Sequence, residues 1–191
     1  MNFRSCARRL ALVAGIASLA AAAGSASASA QGLFGWLQGD GGKEVTSFSP
    51  QFAPGQLVVS FGDKRIYHVV AKGKAVSYPI AIPREQSRWS GVTNVSMKRV
   101  NPSWTPTPTM RAENPRLPTF VPGGHPQNPM GVRALYLGSS SYRIHGTDAP
   151  WTIGQNVSKG CIRMHNEDVI ELYNKVPVGT KVTVTYQRFR G

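Results

Sequence analysis

Apolar and polar positions along the chain follow a strand-like period over most of its length. Residues 57–61 (Leu-Val-Val-Ser-Phe) are β-branched and aromatic and end at a Gly62-Asp63 turn. Residues 65–71 read as a second strand, Lys72-Gly73-Lys74 as a second turn, and 75–82 as a third strand. Short strands at about ten-residue spacing predict an antiparallel meander in a sandwich or barrel. Two more strands are expected at 134–137 and 142–145, separated by Gly138-Ser139-Ser140. The period then changes. Val169, Leu172, Tyr173 and Val176 recur at helical spacing. Asn166 reads as the N-cap of that helix, with Glu167 and Asp168 in its first turn, and Pro177 and Gly179 end it. Residues 180–186 alternate again, so the domain closes on a strand.

Three stretches fall outside this pattern. Residues 1–30 read as an export signal peptide: Arg4, Arg8 and Arg9 precede a short apolar run over 10–23, and Ala28-Ser29-Ala30 offers the small residues that signal peptidase accepts. Residues 31–55 mix Gly, Ser, Gln and Asp and read as a linker. Residues 101–129 hold eight of the fourteen prolines. That density argues against a regular helix or a central strand. A loop of such length in a compact domain is usually functional, and prolines lower the entropy it loses on ordering. The expectation is an ordered excursion that walls a cleft.

Composition narrows the class. A chain of 191 residues with 41% hydrophobic content suggests one globular domain, placed here at 56–187. No stretch after residue 30 approaches eighteen apolar residues, so no transmembrane segment is expected once the signal is cleaved. The formal charge is +13, and removal of the signal leaves 19 basic and 9 acidic residues, a net of +10. These cations are scattered and form no known basic motif, so nucleic acid is not an expected partner. Cleavage also removes Cys6 and leaves Cys161 as the only cysteine. A single thiol in an exported chain reads as reactive or intermolecular.

Cys161 stands in Ser158-Lys159-Gly160-Cys161-Ile162-Arg163-Met164, and His145 in Arg143-Ile144-His145-Gly146-Thr147. The thiolate is the nucleophile, so such a site is expected to lower the thiol's pKa. His145 is a candidate proton acceptor and ion-pair partner, and Lys159 puts a cation two residues away. Gly160 permits a tight turn into the helix, and the backbone N–H groups there are candidates for an oxyanion hole. A buried structural thiol and a satisfied structural histidine are the alternatives. The spacing of His125, His145, Cys161 and His165 calls for no metal.

His-Gly-Thr, fifteen residues between His145 and Cys161, and the Ser-x-Gly-Cys-Ile-Arg-Met run together resemble the signature of the L,D-transpeptidase (YkuD-type) catalytic domain. Trp89-Ser90-Gly91, the stretch from Asn101 to Pro106, Gly123-Gly124 and the stretch from Asn128 to Gly131 extend the resemblance, which covers about residues 56 to 186. It implies a mainly β fold: a mixed, mostly antiparallel β-sandwich with a short helix after the catalytic Cys. It also implies that Cys161 attacks a peptidoglycan stem peptide, releases the terminal D-alanine and forms a thioester. An amine from a second stem peptide, or a lysine of an outer-membrane lipoprotein, then resolves the thioester. His145 is implied as acid and base. A backbone carbonyl or a hydroxyl orients it, with Ser158 and Thr147 as candidates. Gly160 and Ser158 fall at the oxyanion turn, and Arg163, Gly146, Thr147 and Lys159 at substrate-binding positions. Many relatives carry His where Lys159 stands. No cofactor or metal is implied. A periplasmic monomer, sensitive to carbapenems, is the corresponding expectation.

Two other functions compete with cross-linking. Water would resolve the same thioester in an L,D-carboxypeptidase or amidase. A catalytically idle wall-binding module would be expected to have lost His145, Gly160 or Cys161, and all three are present.

Overall fold

The computed structural model describes residues 42–190. Residues 1–41, and with them the signal peptide read over 1–30, lie outside the described residues. Among the described residues there are eleven strands, two α-helices and two short 3-10 helices, Glu85–Ser87 and Pro150–Thr152. The strands are β1 (Glu44–Ser47), β2 (Leu57–Ser60), β3 (Arg65–Ala71), β4 (Lys74–Pro79), β5 (Ile82–Pro83), β6 (Gly91–Val100), β7 (Arg133–Leu137), β8 (Arg143–His145), β9 (Asn156–Ser158), β10 (Ile162–Arg163) and β11 (Lys181–Thr185). The helices are α1 (Pro108–Glu113) and α2 (Asn166–Lys175). Nine strands form one ladder in the order β1-β4-β3-β2-β11-β6-β7-β8-β10, and β5 pairs with β9 apart from it.

The sheet is mixed. β2–β11, β8–β10 and β5–β9 are parallel, and the other pairs are antiparallel. β6 joins the two halves: its start pairs with β11 through Gly91–Asn94, and its end with β7 through Val95–Val100. The halves close on one buried cluster. Leu57, Val59, Val182 and Val184 come from one half, and Leu135, Leu137, Ile144 and Ile162 from the other. The fold is a mainly β, mixed sandwich. The β2–β3–β4 meander follows the alternation in the sequence, because every residue of β2 is buried and the β-branched side chains fill both sides. α2 lies against β7 and β8 and buries Val169 and Leu172 in the main cluster.

Four elements depart from the sequence reading. First, the stretch read as a linker over 31–55 supplies an edge strand, β1, paired with β4. Phe48 and Phe52 follow it and pack with Tyr67 and Phe189 on the outer face of the sheet. A four-residue edge strand with polar flanks carries too little apolar pattern to stand out. Second, β6, the longest strand, has no counterpart in the periodicity. Only Val95 within it is fully buried, and an irregularity between Val95 and Met97 breaks its alternation. Third, the Pro-rich excursion contains a helix after all. Pro108 sits at its start, where the missing N–H costs nothing, and Thr107 caps it by accepting from Met110 N at 3.2 Å. The excursion is closed at its base by the pairing of Trp104 with Val121. Fourth, Asn166 is not the cap of α2. His165 is, without a side-chain bond, and Asn166 turns its amide back toward Thr147.

Candidate active site

β8 and β10 run side by side in parallel, with Ile162 opposite Ile144 and Arg163 opposite His145. Side chains alternate between faces with period two. Ile144 and Ile162 therefore go into the core, where both are fully buried. Arg143, His145, Cys161 and Arg163 share the other face, and all four line one cavity of about 670 Å³. Strand spacing and rise put the Cα atoms of Cys161 and His145 about 8 Å apart on the diagonal, a span their side chains can bridge. The excursion forms the opposite wall through Trp104, Thr107, Met110 and Glu113.

His145 is buried, and its Nδ1 stands 2.6 Å from the Gly146 carbonyl oxygen. Burial pulls its pKa down to about 3, and the Arg163 and Arg143 charges push the same way; the backbone of Gly146 and Met130 opposes them. The imidazole is therefore neutral at physiological pH. Facing a carbonyl, Nδ1 carries the proton and donates it, which leaves Nε2 as the basic nitrogen. Of the groups considered for orienting this ring, the backbone carbonyl is the one in contact. Thr147 Oγ1 instead accepts from Ala149 N at 3.0 Å, and Ser158 Oγ donates to the Cys161 carbonyl.

Cys161 is partly exposed, and its thiol lies 3.9 Å from the Ser141 carbonyl oxygen. Desolvation raises its pKa, against the lowering pull of Arg143 and Arg163. Both shifts favour a thiol and a neutral imidazole over the resting ion pair expected from the sequence. Two of the anticipated activators are also placed elsewhere. Lys159 pairs with Glu113, which lines the same cavity. β10 stands between Cys161 and α2, so the thiol does not sit at the helix N-terminus.

The loop carrying the nucleophile is held from several sides. Gly160 has φ +125, and a Cβ built there would stand 2.7 Å from Tyr142 Cδ1. Tyr142 stacks on Trp89 with ring centroids 4.6 Å apart, and Trp89 Nε1 donates to the Gly160 carbonyl at 2.9 Å. Ala81 exchanges backbone bonds with Arg163, and Met164 N donates to the His145 carbonyl at 2.8 Å.

A family model for the L,D-transpeptidase catalytic domain (YkuD) matches residues 54–184. The chain belongs to the L,D-transpeptidase family. It is 40% identical over 178 residues to a probable L,D-transpeptidase, ErfK/SrfK, of Escherichia coli, a match that covers 82% of this chain and 56% of that protein. The chain thus spans about half the length of the curated relatives it matches. Among solved structures, a Brucella melitensis protein described as a probable carnitine operon oxidoreductase is 38% identical with a TM-score of 0.50, over 75% of this chain and 92% of that one. L,D-transpeptidase 3 of Mycobacterium tuberculosis shares the fold at 19% identity and a TM-score of 0.52, over 68% of this chain and 60% of its own.

Within this L,D-transpeptidase domain the residues singled out by sequence divide into three groups. Cys161, His145, Arg163, Ser158 and Lys159 meet at the cavity wall. Gly160 lies behind it, shaping the turn against Tyr142. Gly146 and Thr147 are buried and are not part of the lining. They form a clamp instead: Asn166 Oδ1 accepts from Thr147 N at 3.1 Å and Asn166 Nδ2 donates to Thr147 O at 3.0 Å. A Cβ at Gly146 would collide with Asn166 Oδ1. Arg143 was open to detection in the sequence, since it lies two residues before His145 on one strand and must share its face. Tyr142 stands next to Arg143 in the same segment, whereas Trp89 and Glu113 reach the site from distant segments, Trp89 marked only by the family resemblance and Glu113 by no local signal. Among the described residues no group of three or more His, Cys, Asp or Glu side chains is placed to hold a metal.

Proposed function

We propose that this chain is a peptidoglycan L,D-transpeptidase that cross-links stem peptides through a thioester on Cys161. The observation that carries the reading is the diagonal placement of His145 on β8 and Cys161 just before β10, with an anchored neutral His145 and the Cys161 thiol facing one cavity. In the first half-reaction His145 Nε2 takes the thiol proton as sulfur attacks the carbonyl before the terminal D-alanine. The tetrahedral intermediate collapses, the C–N bond breaks, and the proton passes from His145 to the leaving amine. The thioester retains the energy of the broken amide, so no nucleotide is needed. In the second half-reaction an acceptor amine, having released one proton to water, attacks the thioester carbon. A C–N bond forms, the C–S bond breaks, and the amine's remaining excess proton returns through His145 to sulfur.

Arg163 suits a substrate carboxylate. Its Nε is buried without a hydrogen bond and its guanidinium lines the cavity. Gly160 and the Cys161 N–H form the oxyanion turn in this reading. Residues 1–30 direct export to the periplasm and are removed, and the enzyme acts there as a monomer; among the described residues no helix is long and apolar enough to cross a membrane. The acceptor is a second stem peptide or a lysine of an outer-membrane lipoprotein, and carbapenems acylate the same thiol.

The test is incubation of the purified protein with tetrapeptide muropeptides, followed by mass spectrometry. Dimers lacking one D-alanine are the expected product. Tripeptide monomers alone would assign the chain as an L,D-carboxypeptidase, and no change in either would overturn an acyl-transfer reading altogether.

A further inference from the structure

The large cavity has a smaller neighbour of about 260 Å³. Cys161 and His145 line only the large one, whereas Glu113 and Lys159 line both. Their ion pair therefore stands at the junction. Charge around this junction is uneven. Arg84, Arg143, Arg163 and Lys159 face the two cavities, and among the described residues Glu113 is the only carboxylate in either lining. A donor peptide rich in carboxylates fits such a surface. An acceptor arrives with a primary ammonium, which every other charged side chain there repels.

We propose that Glu113 is a specificity-determining residue that captures the primary ammonium of a peptide acceptor in the smaller cavity, and that Lys159 occupies its place until the acceptor arrives. The proposal rests on the cross-linking reading above. Lys159 is itself a primary ammonium on a flexible stem, so its Nζ marks where such a group is accommodated. Glu113 and Lys159 also line the cavity that holds Cys161, so an ammonium captured at the junction borders the space where the thioester forms. The exchange is undemanding, because Glu113 is 55% exposed and water screens the pair. Capture and reaction are separate steps. Glu113 holds the charged form, and the amine attacks only after giving a proton to water.

The test uses the purified protein with a tetrapeptide donor and two acceptors: a stem peptide bearing a diamino residue, and a lysine-terminated peptide. Donor acylation of Cys161 is first followed alone by mass spectrometry; if wild type forms no acyl-enzyme, the cross-linking reading fails. Given acylation, Glu113→Gln is expected to raise the acceptor KM about tenfold, the size of one charge-assisted contact. Lys159→Ala is expected to lower it about threefold by removing the competitor. The acceptor whose KM responds identifies the source, and a response from both means that Glu113 reads only the ammonium. Hydroxylamine, largely uncharged at neutral pH, should resolve the thioester equally in wild type and Glu113→Gln. A simple latch between excursion and loop would move both variants in the same direction, since each breaks the same pair, and would change the hydroxylamine reaction too. Either result, or an unchanged acceptor KM in Glu113→Gln, overturns the proposal.

Discussion

The ring of Tyr142 occupies the space beside Gly160 where any other residue would place its Cβ. The same ring stacks on Trp89, whose indole N–H holds the Gly160 carbonyl. A residue just before β8 and one just before β6 thus set the backbone just ahead of the nucleophile.

Gly160→Ala is accordingly expected to damage both stability and rate. The positive φ alone costs about 1–3 kcal/mol for a residue with a side chain, before the ring is displaced. Urea unfolding measures the first effect and the rate of Cys161 acylation the second. An alanine variant with wild-type stability would mean that the turn relaxes freely.

Trp89→Phe separates the stack from the hydrogen bond. It keeps an aromatic ring against Tyr142 and removes the donor to Gly160. A loss of about 1 kcal/mol is expected. The acylation rate should fall while the donor KM stays near that of wild type, because the change acts on how the thiol is aimed.

His145 gives stability a pH dependence. Its pKa in the fold is about 3 against an ordinary 6.5, so the unfolded chain takes up the proton first as pH falls. The stabilisation is complete above 6.5 and is lost on acidification toward 3, at up to about 1.4 kcal/mol per pH unit. Urea midpoints between pH 7 and 4 should drop more steeply for wild type than for His145→Gln. Parallel curves would show that the imidazole is not buried as described.

The Cys161 thiol titrates above its ordinary value of 9.0 because the cavity desolvates the thiolate, with Arg143 limiting the rise. The rate of iodoacetamide alkylation should still be climbing above that pH. In Arg143→Met the midpoint should move higher. A plateau near neutrality would instead indicate a resting ion pair with His145.

Asn166→Asp changes one group in the clamp on Thr147. The oxygen that accepts from Thr147 N remains, but an oxygen now faces the Thr147 carbonyl. A loss of about 1–3 kcal/mol is expected, more than an acid in the first helical turn returns. Urea unfolding of Asn166→Asp and Asn166→Ala checks it.

The meander was legible because its residues are buried on both faces and its turns carry Gly and Asp. β6 was not, since nearly all of it is exposed and its pattern breaks at Met97. α1 was obscured by the prolines around it, although Thr107-Pro108 is a helix start on its own terms. At the candidate site, His145 and Cys161 stood out by residue type and spacing. The charge states did not follow from their neighbours in sequence, because desolvation depends on what covers a group and not on which residue precedes it.

By itself the sequence determined the strand-rich class, the His-Gly-Thr and Gly-Cys-Ile-Arg motifs, and the single thiol at Cys161 once export is assumed. These are local properties, written in period, residue type and spacing. Only the tertiary structure decided that Gly146 and Thr147 lie behind the cavity wall, that Trp89 and Tyr142 brace Gly160, and that Lys159 spends its charge on Glu113. Each of those contacts joins segments that only folding brings together: Trp89 with Gly160 and Glu113 with Lys159 across tens of residues, and Gly146 and Thr147 with Asn166 across about a helix's length. Pairing at that range is set by how the sheet closes on its core, and no local pattern encodes it.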